Sequence, residues 1–437
     1  MPFLRATAGR LALAGTGLGA WLVLTATPAS AHAAAGGSLP APPWLLAYAG
    51  VAVLLITALV LRSTWPRPRL ARFALEAEPP GGSPRPLPPL PVGLLGVVLF
   101  ALVIAAAIVG PDQNAANIAP NLVGAVWWLG LPIACVLLGD VVRWINPFTT
   151  ALRLVDRRPE PPATDRAPAW LPAAMLATFV WFSLAYHAPG SPRAVAAYLV
   201  AYTVVALAAG WRWGHRWLAT HEGFGGLSAS IGLLAPRRGA APDRAAIAPL
   251  MIVWLGGVAF DAVSTSAWWV DVLGRNIGWS RTLLNTVGLV WVTAIVAGAY
   301  LAVVRLFERA TERPSLTVVL AVALVPLTTS WFVAHYFTQL ALELQNTVAL
   351  ASDPVSRGWD LFGTKQLTID YGWIRARWLR WLQLLVLISG HAAAIVVHHD
   401  RALTVGSRRT SMGSTWAMTG LAAASLVAFT LLVLKGA

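Results

Sequence analysis

A few side chains able to bind a metal or move protons stand in a sequence where ionisable groups are scarce. Asp261 lies near the end of an apolar run, Met251-Ile-Val-Trp-Leu-Gly-Gly-Val-Ala-Phe-Asp261-Ala-Val-Ser264, with Ser264 one helical turn further on the same face. His335 follows in Trp331-Phe-Val-Ala-His335-Tyr336, with Gln339 one turn beyond it and Glu343 two turns beyond. His187 closes another apolar run, and His32 directly follows Ala29-Ser30-Ala31. Two or three imidazoles and a carboxylate are the donor set of a hydrolytic or redox metal site, the nitrogens holding zinc or copper and the carboxylate serving as ligand or base. A His32 freed at its own amine would chelate Cu(II) through two nitrogens. The same residues have plainer uses: an aspartate tying neighbouring helices together, and an interfacial histidine bonded to a backbone carbonyl.

The elements that must position these residues are membrane spans. The chain is 57% hydrophobic and only 11% charged, more apolar surface than a soluble domain of this length needs, so the fold class expected is all-α, a polytopic transmembrane helix bundle. Residues 1–31 read as a cleaved signal peptide: Arg5 and Arg10, an apolar run from Leu11 to Ala26, then an A-x-A site. Residues 32–437 then form a single transmembrane helical domain of about ten spans, near 44–62, 91–109, 122–139, 170–187, 194–211, 246–264, 284–305, 317–340, 377–399 and 415–434. Each must be helical, because backbone groups in lipid have to bond within their own segment.

Arginines gather in every second connection, among them Arg62, Arg67 and Arg69, then Arg143, Arg153 and Arg157, then Arg212, Arg216 and Arg237, then Arg305, Arg309 and Arg313, then Arg401, Arg408 and Arg409. The positive-inside rule places these in the cytoplasm of a multi-pass plasma-membrane protein and both mature termini outside. His32, His187, Asp261, His335 and Glu343 thereby share the outer side. The same rule and anionic lipid account for the net charge of +14, so the partner expected is the lipid bilayer and not nucleic acid.

Two cytoplasmic connections, 78–91 and 157–168, are rich in proline and read as flexible. Trp211 to Leu234 mixes aromatic and basic residues and is expected along the inner membrane surface, while the outer segment 341–377 has the length to cap an outward site. Most of the 22 tryptophans fall at span ends, as an interfacial belt does. The single cysteine, Cys135, permits no intrachain disulfide. His391 and His398 share a face of the ninth span toward its inner end, where they serve either a polar helix terminus or a proton relay; no second inner histidine answers them as a haem ligand. No GxxxxGK[ST], HExxH, GxSxG or CxxCH motif is present.

The order of motifs resembles actinobacterial membrane proteins called fenitrothion hydrolases: His32 through Trp44, the Asn114 to Trp128 segment, Gly139 to Pro147, Ser228 to Pro236, Ala259 to Ser264, Val333 to Phe337 and Gly390 to Leu403. The resemblance departs at Ala33-Ala34-Ala35, where more glycine is expected. It implies hydrolysis of an organophosphorus or similar ester. Two expectations therefore stand: a membrane hydrolase with an outward site in which His32, Asp261, His335 and His187 hold a divalent metal, or a non-catalytic transporter or copper-handling protein using the same groups.

Overall fold

The computed structural model describes residues 41–73, 87, 89–156, 167–236, 242–373 and 375–434. Residues 1–31, read as a signal peptide, and His32 lie outside the described residues. Every regular element is helical, and no strand occurs among the described residues. Among the described residues nine helices are long and apolar enough to cross a membrane: α1 (Pro43–Thr64), α2 (Leu90–Val109), α3 (Ile118–Leu138), α5 (Pro192–Trp213), α8 (Arg244–Ser264), α9 (Gly278–Thr311), the span Thr317–Ser352, α11 (Ala376–Ala402) and α12 (Arg408–Phe429) with its short continuation. Within Thr317–Ser352 the chain turns through a 3₁₀ segment, Ala321–Ala323, before continuing as α10 (Leu324–Ser352). The tenth run expected, near 170–187, is the shorter α4 (Leu171–Leu184), 14 residues or about 21 Å at 1.5 Å per residue. Two further short helices, α6 (His215–His221) and α7 (Gly223–Ile231), occupy the segment read as interfacial.

The helices form two compact units. The first comprises described residues within 1–75, 254–335 and 371–437; the second, those within 76–253 and 336–370. In the first unit α10 and α11 run antiparallel, with Gly390 against Ser330 and the Pro326 carbonyl, and Gln383 donating to the Ala334 carbonyl at 2.9 Å. A side chain at Gly390 would meet that carbonyl oxygen at 2.7 Å, so glycine is what lets the two backbones approach. α1 ends beside the C-terminal end of α11, where Trp65 Nε1 donates to Asp400 at 3.0 Å. α8 ends at the opposite level, where Asp261 meets His335.

These directions define the role of α4. Since α1 ends, and α8 begins, on one and the same side, an even number of crossings must separate them. α2, α3 and α5 are long enough to supply three, so α4 is expected to be the fourth. A 14-residue helix is short for a hydrocarbon core of about 30 Å, a mismatch met by local thinning or by the flanking residues. Epitope tags inserted between residues 157 and 166 and at Gly190 are therefore expected to label from opposite faces of the membrane. Labelling of both from one face of intact cells would show that α4 does not cross.

In the second unit α6 folds back along α5, with Leu218 against Gly210, and α7 returns so that Gly232 packs on Gly139 and Asp140. The turn between them reaches the depth of Tyr202, halfway along the 22-residue α5. This is a re-entrant helix pair rather than a surface strap: all nine residues of α7 are buried. Phe224 fixes its tip, with ring centroids 5.0 Å from Phe179 and 5.5 Å from Trp127. Non-spanning backbone at membrane depth is tolerated where protein surrounds it. α3 contributes a π-helical stretch, Leu122–Leu129, just before Pro132. Pro132 has no N–H for the Trp128 carbonyl, and a widened turn is one way a helix accommodates that loss.

Candidate functional site

Asp261 and His335 are brought together. They project from α8 and α10 in the first unit, Asp261 Oδ2 lying 2.9 Å from His335 Nε2. With Asp261 ionised, Nε2 carries the ring proton and donates it to the carboxylate. α8 is seated closely on α9 because Gly256 leaves room for Thr293, and Gly288 of α9 leaves room for the Trp269 and Phe260 rings. Asp261 is thereby set at the end of a rigid helix. Its side chain is 21% exposed whereas that of His335 is 2% exposed, so the carboxylate is the member of the pair open to another molecule. The Ser264 hydroxyl donates to the Asp261 backbone carbonyl at 2.8 Å, tightening the end of α8.

The other predicted residues fall elsewhere. His187 belongs to the second unit, its ring 4.4 Å from that of Tyr186. Glu343 also belongs to the second unit: α10 runs on to Ser352, so Glu343 is helical and accepts from Asn121 Nδ2 at 2.6 Å. The loop following α10 is tied by Asp353, which accepts from the Arg357 and Gly358 backbone N–H groups at 2.7 and 2.9 Å and from Lys365 Nζ at 2.8 Å. The bond from Lys365 holds the Asp353 carboxyl below the usual aspartate value, helped by those two N–H donors. Among the described residues no three His, Cys, Asp or Glu side chains gather as metal ligands would. Asp261 and His335 supply two donors already bonded to each other, fewer than the three protein ligands of a catalytic zinc site.

The histidines of α11 are tied to hydroxyls of α12: His391 Nε2 to Ser425 at 3.1 Å, His398 Nε2 to Ser414 at 2.7 Å and His399 Nδ1 to Thr415 at 2.8 Å. Between these levels α12 presents Met418 and Ala422, both fully buried. The arrangement is an interhelical polar tie interrupted by apolar side chains.

Glu222 and Arg380 are buried ionisable residues that were not singled out from the sequence, while Asp140 and Asp400 entered only as members of longer motifs. Glu222 is 1% exposed and caps α7, accepting from Tyr202 Oη at 2.6 Å, Gly225 N at 2.7 Å, Phe224 N at 3.1 Å and Asn146 Nδ2 at 3.4 Å. A lone glutamate followed by Gly223-Phe224-Gly225-Gly226 was the signal available. Asp400 closes α11 onto the chain leaving α1, and Arg380 lies buried near the start of α11. Comparison with family models, with characterised proteins and with solved structures finds no match to this chain.

Proposed function

We propose that this multi-pass membrane protein is a hydrolase of organophosphorus or similar esters, with Asp261 and His335 as its acid–base pair at the outer side. The observation that supports this most is the 2.9 Å contact between two ionisable side chains drawn from separate membrane helices. Such groups cost several kcal/mol in a bilayer and are concentrated at working sites. Asp261 is the exposed partner, so it is the group that takes the proton as water attacks phosphorus and the bond to the leaving oxygen breaks. His335 donates to one carboxylate oxygen and orients the other toward the water. The leaving oxygen departs as an anion or takes its proton from solvent. The outer location rests on the arginine distribution, and the ester class on the motif resemblance. With two donors together, no step is routed through a metal; a site completed by His32 remains part of the proposal and is tested by metal content of the purified chain.

A second reading is favoured by one observation, the re-entrant pair α6–α7, because broken helices at membrane depth build the binding sites of many transporters. In that case Asp261 and His335 would carry a coupling proton. Purified protein should hydrolyse a chromogenic phosphotriester, and Asp261→Asn or His335→Ala should lower the rate by about 10²–10⁴-fold. Rates unchanged in both variants would remove the pair from the chemistry. Substrate-dependent proton uptake into proteoliposomes without hydrolysis would favour transport.

A further inference from the structure

Arg380 sits in the second turn of α11, and only 7% of it is exposed. Its neighbours Trp378 and Trp381 are turned outward, as lipid-facing aromatic residues at an interface are. The guanidinium makes one long contact, from Nη1 to Gln383 Oε1 at 3.4 Å, and its buried Nε has no protein partner. No carboxylate among the described residues pairs with it. A buried guanidinium left with a neutral amide as its only contact is an expensive arrangement, and membrane proteins usually pair such a charge. Among the described residues no pairing group meets it.

The place of Arg380 indicates what that group is. Gln383, its contact, donates to the Ala334 carbonyl at 2.9 Å, and Ala334 precedes His335, the partner of Asp261. Arg380, Gln383, Ala334, His335 and Asp261 therefore form one connected run within the first unit. No side chain caps the first turn of α11, which adds the positive end of a 27-residue helix to the same locality. A planar fork of N–H donors, always charged, matches the oxygens of phosphate and its esters.

We infer that Arg380 is the anion-recognition residue of the Asp261–His335 site and takes a negatively charged phosphoryl group. This deepens the hydrolase reading, on which it rests for its link to chemistry, by naming the substrate class: esters that carry an anionic phosphoryl oxygen, bound by Arg380, which connects to the acid–base pair through Gln383 and the Ala334 carbonyl. The phosphoryl group can belong to a soluble ester or to a lipid headgroup.

The test uses the full chain in maltoside detergent and two probes, inorganic phosphate and short-chain phosphatidylglycerol, with thermal unfolding and calorimetry as readouts. At least one probe should bind and raise the melting temperature of the wild type. Stabilisation by phosphate identifies a soluble ester, and stabilisation by phosphatidylglycerol alone identifies a headgroup. Arg380→Met should weaken that binding by at least about tenfold, and Arg380→Lys by less. Without any probe, Arg380→Met should melt at or above the wild-type temperature, because it removes an unpaired buried charge. Binding equal to wild type in Arg380→Met, or no binding of either probe to the wild type, would overturn the assignment. Hydrolysis of a neutral chromogenic phosphotriester and of an anionic chromogenic phosphodiester is measured on the same samples: phosphoryl binding with neither ester hydrolysed leaves Arg380 assigned and sinks the hydrolase reading instead.

Discussion

Glu222→Ala is expected to cost the protein most of its stability. The carboxylate receives four donors, from Tyr202, Asn146 and the Phe224 and Gly225 backbones, all buried in the second unit. Alanine leaves the Tyr202 hydroxyl and the Phe224 and Gly225 N–H groups without this acceptor, at about 1–3 kcal/mol apiece when water cannot enter, while Asn146 Nδ2 keeps the Leu218 carbonyl at 3.3 Å. The sum is of the order of a typical net folding stability, about 5–15 kcal/mol. Glu222→Gln keeps the shape and one acceptor oxygen, and the Tyr202 hydroxyl can rotate to accept from the new amide, so a milder loss of about 1–3 kcal/mol is expected. Thermal unfolding of detergent-purified protein, with the yield of monodisperse material, measures both. An alanine variant that melts with the wild type would mean that the tip of α6–α7 is not held by this carboxylate.

Asp400→Ala should be nearly as damaging, for a different reason. Asp400 Oδ1 accepts from Trp65 Nε1 at 3.0 Å, Arg69 N at 2.5 Å and Leu70 N at 3.1 Å, while Oδ2 pairs with Arg401. Arg401 is itself buried and also reaches the Leu70 carbonyl at 3.3 Å. Removing the carboxylate strands that guanidinium, a change worth about 3–5 kcal/mol. The double variant Asp400→Ala with Arg401→Ala no longer buries a lone charge and should recover part of the loss. Trypsin should meanwhile cut faster at Arg69, because the chain leaving α1 loses its anchor. Equal stability of Asp400→Ala and the double variant would show that Arg401 is not a stranded charge once Asp400 is gone, and Arg401→Ala alone completes the cycle that measures the coupling.

The spans were legible because lipid imposes one crude requirement, a continuous apolar length, and runs such as residues 91–109 meet it without ambiguity. The pairing of Asp261 with His335 was half legible. Arginine alternation puts both at one side, but whether two helices turn those faces together depends on close approaches such as Gly256 on Thr293, which no periodicity reveals. The segment from Trp211 to Leu234 was misleading, since its tryptophans and arginines have the composition of a surface helix. What redirects it inward is Gly223: a side chain there would meet Tyr202 Oη at 2.8 Å and Leu176 N at 2.9 Å, so only glycine lets the turn enter the unit. Arg380 was hidden among Arg375 and Arg377, because a sequence does not distinguish an arginine facing headgroups from one facing inward.

Cys135 carries a practical consequence. It is the one thiol in the chain, fully buried, with its sulfur 3.3 Å from the Ser228 hydroxyl. Reagents such as maleimides and spin labels require an accessible thiolate, which this position does not offer. Natural protein is thus its own unlabelled blank, and probes attached at one or two chosen sites would report distances and mobility in the bilayer without first stripping the native residue.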